Sequence, residues 1–440
     1  VAWSAGKIGT LIPSAEERTT LAYGALLALS FIYFVRPEDY IPGLAYIPIA
    51  KIAGGISLFA LVFGVSGQWK ENKPKELRLV YFLYFWLCLG LPFSAWKSKS
   101  IGLVFTDCLK CLVVAILVSL VVNSLKDLRR LLWMQAAAVT ASALGAILLH
   151  KVDSDARLEG LGNGALFNPN DLAINIALNW PLIAMFFLGS RNRFVKVLWG
   201  FGLLAMIRAV MMTYSRSGFL ALVMAIFVVL LEFGWRGRRR WMLALPFMFA
   251  VPAVLLAPSN YGVRLESIVG TPQAGSLDRG SAEARKQLLI KAIEISLTHP
   301  LFGVGVGNFP SYSNMWMVTH NTYTEFSAEA GIPAMVAFIL YLKSSFRNLR
   351  AVRNSPALRD DESLQLIASA LWAGMAAYVV GAFFASTARL LYPYFMVGYT
   401  TALYKISHVG AEAVARVPSR EPAGVLRPRR GPAPGFGWSG

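Results

Sequence analysis

Apolar residues in this chain gather in blocks close to the roughly 20 residues that cross a bilayer's hydrocarbon core, with polar residues confined to the joins. Twelve blocks run at 19–35, 47–65, 78–93, 101–122, 131–149, 171–188, 195–213, 217–233, 241–257, 331–346, 364–385 and 390–408. Each predicts a membrane-spanning helix. The fold class expected is all-α and polytopic, with one long interruption, residues 258–330. The organisation that follows is a first helical part over 1–257, an insertion over 258–330, a second helical part over 331–408, and a tail over 409–440. That tail is rich in Pro, Gly and Arg and is expected to lack structure. No small-residue cleavage site follows the first block, which therefore reads as a retained helix and not a removed leader.

Composition excludes a soluble globular class: 56% of residues are hydrophobic, only 15% are charged, and the mean hydropathy is +0.53. The net charge of +18 does not point to nucleic acid, because most of the 42 Lys and Arg residues sit in the joins on the side of the N-terminus. Those joins include the run Arg236, Arg238, Arg239, Arg240. By the positive-inside rule that side is cytoplasmic and holds both termini, and lipid headgroups account for the excess charge. The insertion then faces the periplasm or exterior. Cys108 and Cys111 have C-x-x-C spacing inside a predicted helix, but no second pair or histidine completes a zinc site, so they read as packing thiols.

Within the insertion, Ser281–Thr298 predicts an amphipathic helix with Ser281 as N-cap and His299-Pro300 as its stop. At about 100° per residue, Gln287, Lys291, Glu294 and Thr298 share a polar face. Leu288, Leu289, Ala292, Ile293 and Ile295 fall opposite. Arg285 rises from the middle of the apolar side, where it either turns inward to an anion or snorkels from its stem.

Two further cations stand out. Arg216 lies in the short join Thr213–Gly218, on the arginine-poor side where the topology rule does not call for it. Arg208, about two turns earlier, lies inside a predicted span, where a charge is costly and usually faces a cavity or partner. Guanidinium forks converging from Arg208, Arg216 and Arg285 would suit the oxygens of a diphosphate. His320, where the insertion returns to the membrane, is either a proton acceptor kept neutral by nearby guanidinium charge or a polar residue at a helix start. Gly303–Asn308 (GVGVGN) has the composition of a phosphate loop without its flanking strand or lysine, and equally suits a tight re-entrant turn. Asp153-Ser154-Asp155 is a D-x-D in a loop and reads as solvated; no metal site is expected.

Taken together, the motifs resemble those of the O-antigen ligase and O-antigen polymerase superfamily of bacterial inner-membrane proteins. The residues that carry the resemblance are Arg157 with Asn168-Pro169-Asn170-Asp171, Ser215-Arg216-Ser217-Gly218, Arg285, His299-Pro300-Leu301-Phe302-Gly303, and His320-Asn321 before Gly331. The resemblance implies a GT-C-like membrane glycosyltransferase of the Gram-negative inner membrane, working at the periplasmic face without metal or other cofactor. Its donor would be O-antigen on undecaprenyl diphosphate. Its acceptor, for a ligase, would be the lipid A–core oligosaccharide, and the product lipopolysaccharide. His320, Arg216 and Arg285 would be catalytic, with Arg208, Arg157, Asn168, Asn170, Asn321 and Arg389 contacting diphosphate or glycan. A polymerase or a protein O-oligosaccharyltransferase of the same superfamily would share the donor, and an organic-anion transporter would share the outer arginines.

Overall fold

In the computed structural model the described residues are 20–37, 43–64, 74–149, 152–153, 156–160, 167–236, 240–241, 276–356 and 361–416. They form an all-helical bundle: α1 (Thr20–Val35), α2 (Ile49–Gly64), α3 (Lys75–Gly90), α4 (Lys97–Val121), α5 (Leu125–Leu148), α6 (Pro169–Gly189), α7 (Arg193–Met212) and α8 (Arg216–Trp235). After the insertion's α9 (Ser276–Thr298) and α10 (Thr322–Ala330) come α11 (Ile332–Asn354), α12 (Glu362–Ala382) and α13 (Tyr392–Arg416). Eleven of the twelve apolar blocks coincide with these helices; of the block 241–257 all but Trp241 lies outside the described residues, as do 258–275 of the insertion and 417–440 of the tail, while α13 continues over 409–416 of the expected tail. Among the described residues, seven helices are long and apolar enough to cross a membrane by length and composition.

The bundle is built around α6. Four fifths of its apolar stretch is buried, against α5, α7, α8 and α12. Small residues let those neighbours approach, as they do where lipid removes the usual hydrophobic drive between helices. A Cβ on Gly218 of α8 would stand 2.2 Å from that of Ala173, and one on Gly374 of α12 would stand 2.7 Å from the Leu178 carbonyl oxygen. The last glycine of the Ser-Arg-Ser-Gly motif is thus explained by packing. A buried polar thread fixes the register of the helices. Gln135 of α5 donates to Asn179 Oδ1 at 2.6 Å, Asn179 donates to the Asn175 carbonyl at 2.8 Å, and Tyr399 of α13 donates to Gln135.

Helix starts follow the capping chemistry of the sequence, in which a short polar side chain accepts from the first free amides. Ser124, Asn168, Asn192, Ser215, Asn321 and Asp361 each do this for the helix they precede. One expected start is corrected. The insertion helix begins at Ser276, so Ser281 is an interior position and not its N-cap. An interior glycine costs a helix only about 1 kcal/mol, so the Asp278-Arg279-Gly280 run does not break it. The expected stop holds, with α9 ending at Thr298. Its faces also differ in part from expectation. Leu288, Ala292 and Ile295 are buried against Val304, Phe309 and Ala328, but Leu289 and Ile293 are exposed. Arg285, one turn before Leu288, lies on the buried stripe.

The GVGVGN segment is a re-entrant turn. Gly303, Gly305 and Gly307 have φ of +63°, +98° and +75°. Val304 and Gly305 donate to the α10 carbonyls of Ala328 and Glu329, both at 2.9 Å. The Glu329 carboxylate accepts from the amides of Gly307 at 2.6 Å and Phe309 at 3.2 Å. A carboxylate of the chain itself occupies the amides that a phosphate would need, so the phosphate-loop reading is set aside.

Candidate active site

Two corners of the molecule hold the expected residues. The first is the α7–α8 junction. Met212 and Arg216 are joined by three residues, and the strained one is Tyr214, at φ +49°. The segment before α6 lies across it. Leu158 donates to the Met212 carbonyl at 2.8 Å, and Asp153 Oδ1 accepts from the Arg157 amide at 2.8 Å. Asp153 therefore orders a turn, while Asp155 of the same D-x-D lies outside the described residues. The Arg157 guanidinium donates to the Thr213 carbonyl at 3.0 Å and to Asn170 Oδ1 at 3.1 Å. Asn170 Oδ1 also accepts from the Ser215 hydroxyl at 2.7 Å, which in turn lies 2.9 Å from the Ser217 hydroxyl. Arg157, the Asn-Pro-Asn motif and the Ser-Arg-Ser motif are thus one hydrogen-bonded cluster, and it holds Arg216 at the first position of α8. Arg208 and Arg216 belong to different helices that meet at this junction. Arg208 is four residues from the end of α7, about 6 Å of helix rise, so it lies near the same end of the bundle.

The second corner is around His320. Its backbone is left-handed, with φ +53°, a conformation costing a residue with a side chain on the order of 1 kcal/mol or more. The segment Phe383–Leu391 between α12 and α13 holds it there. The Ser386 hydroxyl accepts from the His320 amide at 3.1 Å and pairs with the Thr319 hydroxyl at 3.0 Å. Thr322 donates to the Ala385 carbonyl at 2.6 Å, and Thr387 lies 2.8 Å from the Thr322 hydroxyl and 3.0 Å from that of Tyr378. Asn321 caps α10, accepting from Tyr323 and Thr324 at 2.9 and 3.0 Å. Burial first, and then the positive charge of Arg285, bring the His320 imidazole down to about pKa 4. His320 and Arg285 therefore lie within electrostatic reach of each other, and at neutral pH the ring is uncharged.

Arg389 belongs to the same segment. Its guanidinium lies 3.6 Å from the Glu325 carboxylate and within 3.6 Å of where a Cβ on Gly307 would stand. Burial pushes the Glu325 carboxyl up to about 7, Arg389 pulls it back down, and the neighbouring Glu329 adds to the rise. The charge of Arg389 is thus shared with buried carboxylates as well as with any ligand.

A cavity of about 940 Å³ touches an element of each corner, and of the expected site residues only Asn168 and Arg389 line it. Asn168 and Asp171 line it from the first, Ser386 and Arg389 from the second. Its remaining wall comes from α1, α2 and α4. Leu29, Ile32, Phe105 and Val113 are apolar lining, and Arg36, Lys51 and Lys110 add positive charge, the last paired with Asp107 at 3.1 Å. An amphipathic anion fits this distribution. The sequence pattern did not single out Arg36, Lys51 and Lys110, because Arg36 lies in a join and the two lysines stand alone inside apolar blocks. It also missed Ser386, which lies in the short join between the blocks 364–385 and 390–408, from which only Arg389 was singled out. Among the described residues, no group of three or more His, Cys, Asp or Glu side chains is arranged to hold a metal ion. Cys108 and Cys111 are free and buried.

Residues 201–339 match the family described as O-antigen ligase. The match takes in Arg208, Arg216, Arg285, His320 and the glycine turn, and leaves Arg157, Asn168, Asn170 and Arg389 outside. No curated protein matches the chain.

Proposed function

From the match of residues 201–339 to the O-antigen ligase family, we propose that this membrane protein is a glycosyltransferase that moves O-antigen from undecaprenyl diphosphate to a sugar hydroxyl of lipid A–core. The reaction runs at the periplasmic face of a Gram-negative inner membrane and completes lipopolysaccharide. The acceptor oxygen attacks the anomeric carbon, the bond from that carbon to the diphosphate oxygen breaks, and its electron pair leaves with the diphosphate. Direct displacement inverts the anomeric centre. His320 takes the acceptor proton. Arg216 and Arg285 hold the negative charge that grows on the leaving group, which then departs without protonation and without a metal. Arg208 and the Arg157–Asn170 cluster steady the diphosphate end, and the apolar wall of the cavity receives the start of the polyprenyl chain.

The observation that carries this reading is the neutral imidazole of His320 within the field of Arg285, on a backbone held by Ser386, which lines a cavity that combines cations with apolar wall. The deciding experiment supplies purified protein in liposomes with fluorescent lipid-linked glycan and three acceptors: lipid A–core, a growing lipid-linked glycan, and an acceptor protein. Transfer to lipid A–core alone supports the ligase. Elongation of the glycan or modification of the protein moves the chain to another branch of the superfamily. Glycan-free anion flux without transfer removes the proposal.

Arg285→Lys tests the leaving-group role. It keeps the charge but loses the planar fork that binds two oxygens at once. Transfer at saturating acceptor is expected to fall roughly tenfold to hundredfold, equivalent to about 1.4–2.7 kcal/mol of transition-state stabilisation. Full activity of the lysine variant would leave Arg285 no role beyond charge or anchoring.

A further inference from the structure

The segment between α12 and α13 touches the base and the cavity with the same residue. Ser386 lines the cavity, and its hydroxyl accepts from the His320 amide at 3.1 Å while meeting the Thr319 hydroxyl at 3.0 Å. Below it the fastening continues. Thr322 and Thr387 are 2.8 Å apart, the Thr387 amide donates to Thr322 Oγ1 at 3.0 Å, and Arg389 faces Glu325. Three residues of one segment, at 386, 387 and 389, thus clasp the chain from Thr319 to Glu325. Of these contacts, only the one from Ser386 reaches the backbone of His320 itself.

That contact falls at the least favoured backbone position of the segment. A left-handed histidine readily relaxes to an ordinary conformation when nothing restrains it, and the relaxation swings the imidazole away from its present direction. A hydroxyl that accepts from the residue's own amide opposes this motion at its origin. The rest of the clasp fixes α10 and does not reach the ring.

We infer that Ser386 is a positioning residue for the transfer reaction. It holds His320 in its left-handed conformation, and as part of the cavity wall it aligns the base with whatever group lies in the cavity. The inference rests on the functional reading above, and it adds a residue outside the matched family segment. Ser386 touches neither reacting atom; it acts through His320.

The test compares Ser386→Ala, Ser386→Thr, His320→Ala and the Ser386→Ala/His320→Ala pair in the full-length protein, reconstituted in liposomes with lipid-linked glycan and lipid A–core. Ser386→Ala is expected to lower kcat about tenfold, and Ser386→Thr, which keeps the hydroxyl, to restore most of it. On the His320→Ala background the serine change should alter the residual rate less than twofold, because a positioning residue has nothing left to position. The acid limb of kcat/KM gives a second readout. It should rise by at least one pH unit in Ser386→Ala as the freed ring gains solvent, a shift that general loss of folded protein does not produce. Equal tenfold losses on both backgrounds, an unmoved acid limb, or a fully active Ser386→Ala would each overturn the inference alone. An active His320→Ala would remove the functional reading as well.

Discussion

Replacing His320 with alanine will lower transfer by about 10²–10⁴-fold, the usual worth of a positioned general base, while donor binding survives. Donor binding is measured separately, by retention of fluorescent lipid-linked glycan in liposomes. The pH dependence of the native protein carries more information than the loss itself. In the free protein the ring is held near pKa 4, by burial first and by Arg285 second. The base is therefore deprotonated well below neutrality, and the acid limb of kcat/KM should fall near 4, below the ordinary histidine value of 6.5. A base that weak is a poor proton acceptor, because efficiency rises as its pKa approaches the working pH. A bound diphosphate supplies the remedy. Its negative charge offsets the Arg285 guanidinium and removes the part of the depression that the arginine causes. The limb of kcat, which reports the complex, should then lie above that of kcat/KM. Coincident limbs would mean that donor and imidazole do not share a field, and an undiminished His320→Ala would remove the base altogether. The same depression has a sign for stability. Between about 6.5 and 4 the unfolded chain binds the proton and the folded one does not, so the contribution present above 6.5 is lost as pH falls through that window.

The parts of this arrangement legible in the sequence were those set by local chemistry. Blocks of apolar residues located eleven helices, because burial and length dominate that choice. Asn168, Ser215 and Asn321 stand as short polar residues before apolar runs, but none of the three was read as a cap, and Asn168 and Asn321 were read as diphosphate or glycan contacts. His320 and Arg285 could be paired by residue type and by the side of the membrane that the distribution of Lys and Arg assigns to both. What the sequence could not disclose was long-range geometry. Asn170 accepts from both Arg157 and Ser215 across 13 and 45 residues of chain, and Ser386 reaches His320 across 66. The cations of the cavity, Arg36, Lys51 and Lys110, come from α4 and from the ends of α1 and α2, and no local pattern relates them. Glu329 was invisible for another reason: one carboxylate among polar residues gives no sign that it will satisfy the amides of a glycine turn.

The second large effect is expected at Gly331→Ala, where folding rather than chemistry fails. Gly331 ends α10 and begins α11 with φ +88° and ψ 167°, a region of backbone space that is essentially reserved for glycine and costs other residues about 1–3 kcal/mol. Space adds to strain. A Cβ there would lie 1.9 Å from the Leu301 carbonyl oxygen and 2.3 Å from its carbon, and backbone cannot step aside as a side-chain end can. The crossing is also fastened: Ile332 donates to the Pro300 carbonyl at 2.8 Å, and the Trp86 indole donates to the carbonyls of Leu301 and Ala330 at 3.1 and 3.2 Å. Moving the chains apart to admit a methyl group breaks these bonds, each contributing about 0.5–1.5 kcal/mol. Strain and overpacking together come to roughly 3–5 kcal/mol, a large share of the 5–15 kcal/mol that keeps a typical protein folded. Gly331→Ala should therefore shift most of the protein from the monodisperse peak to aggregate on size exclusion in detergent, and lower the unfolding temperature of whatever remains. Gly102→Ala is the matched control, since a Cβ on Gly102 in α4 meets nothing within 4 Å, and it should behave as the native chain does. A Gly331→Ala protein as stable as that control would show that the crossing of α10 and the glycine turn is looser than drawn, and the clasp on His320 that depends on α10 would be looser with it.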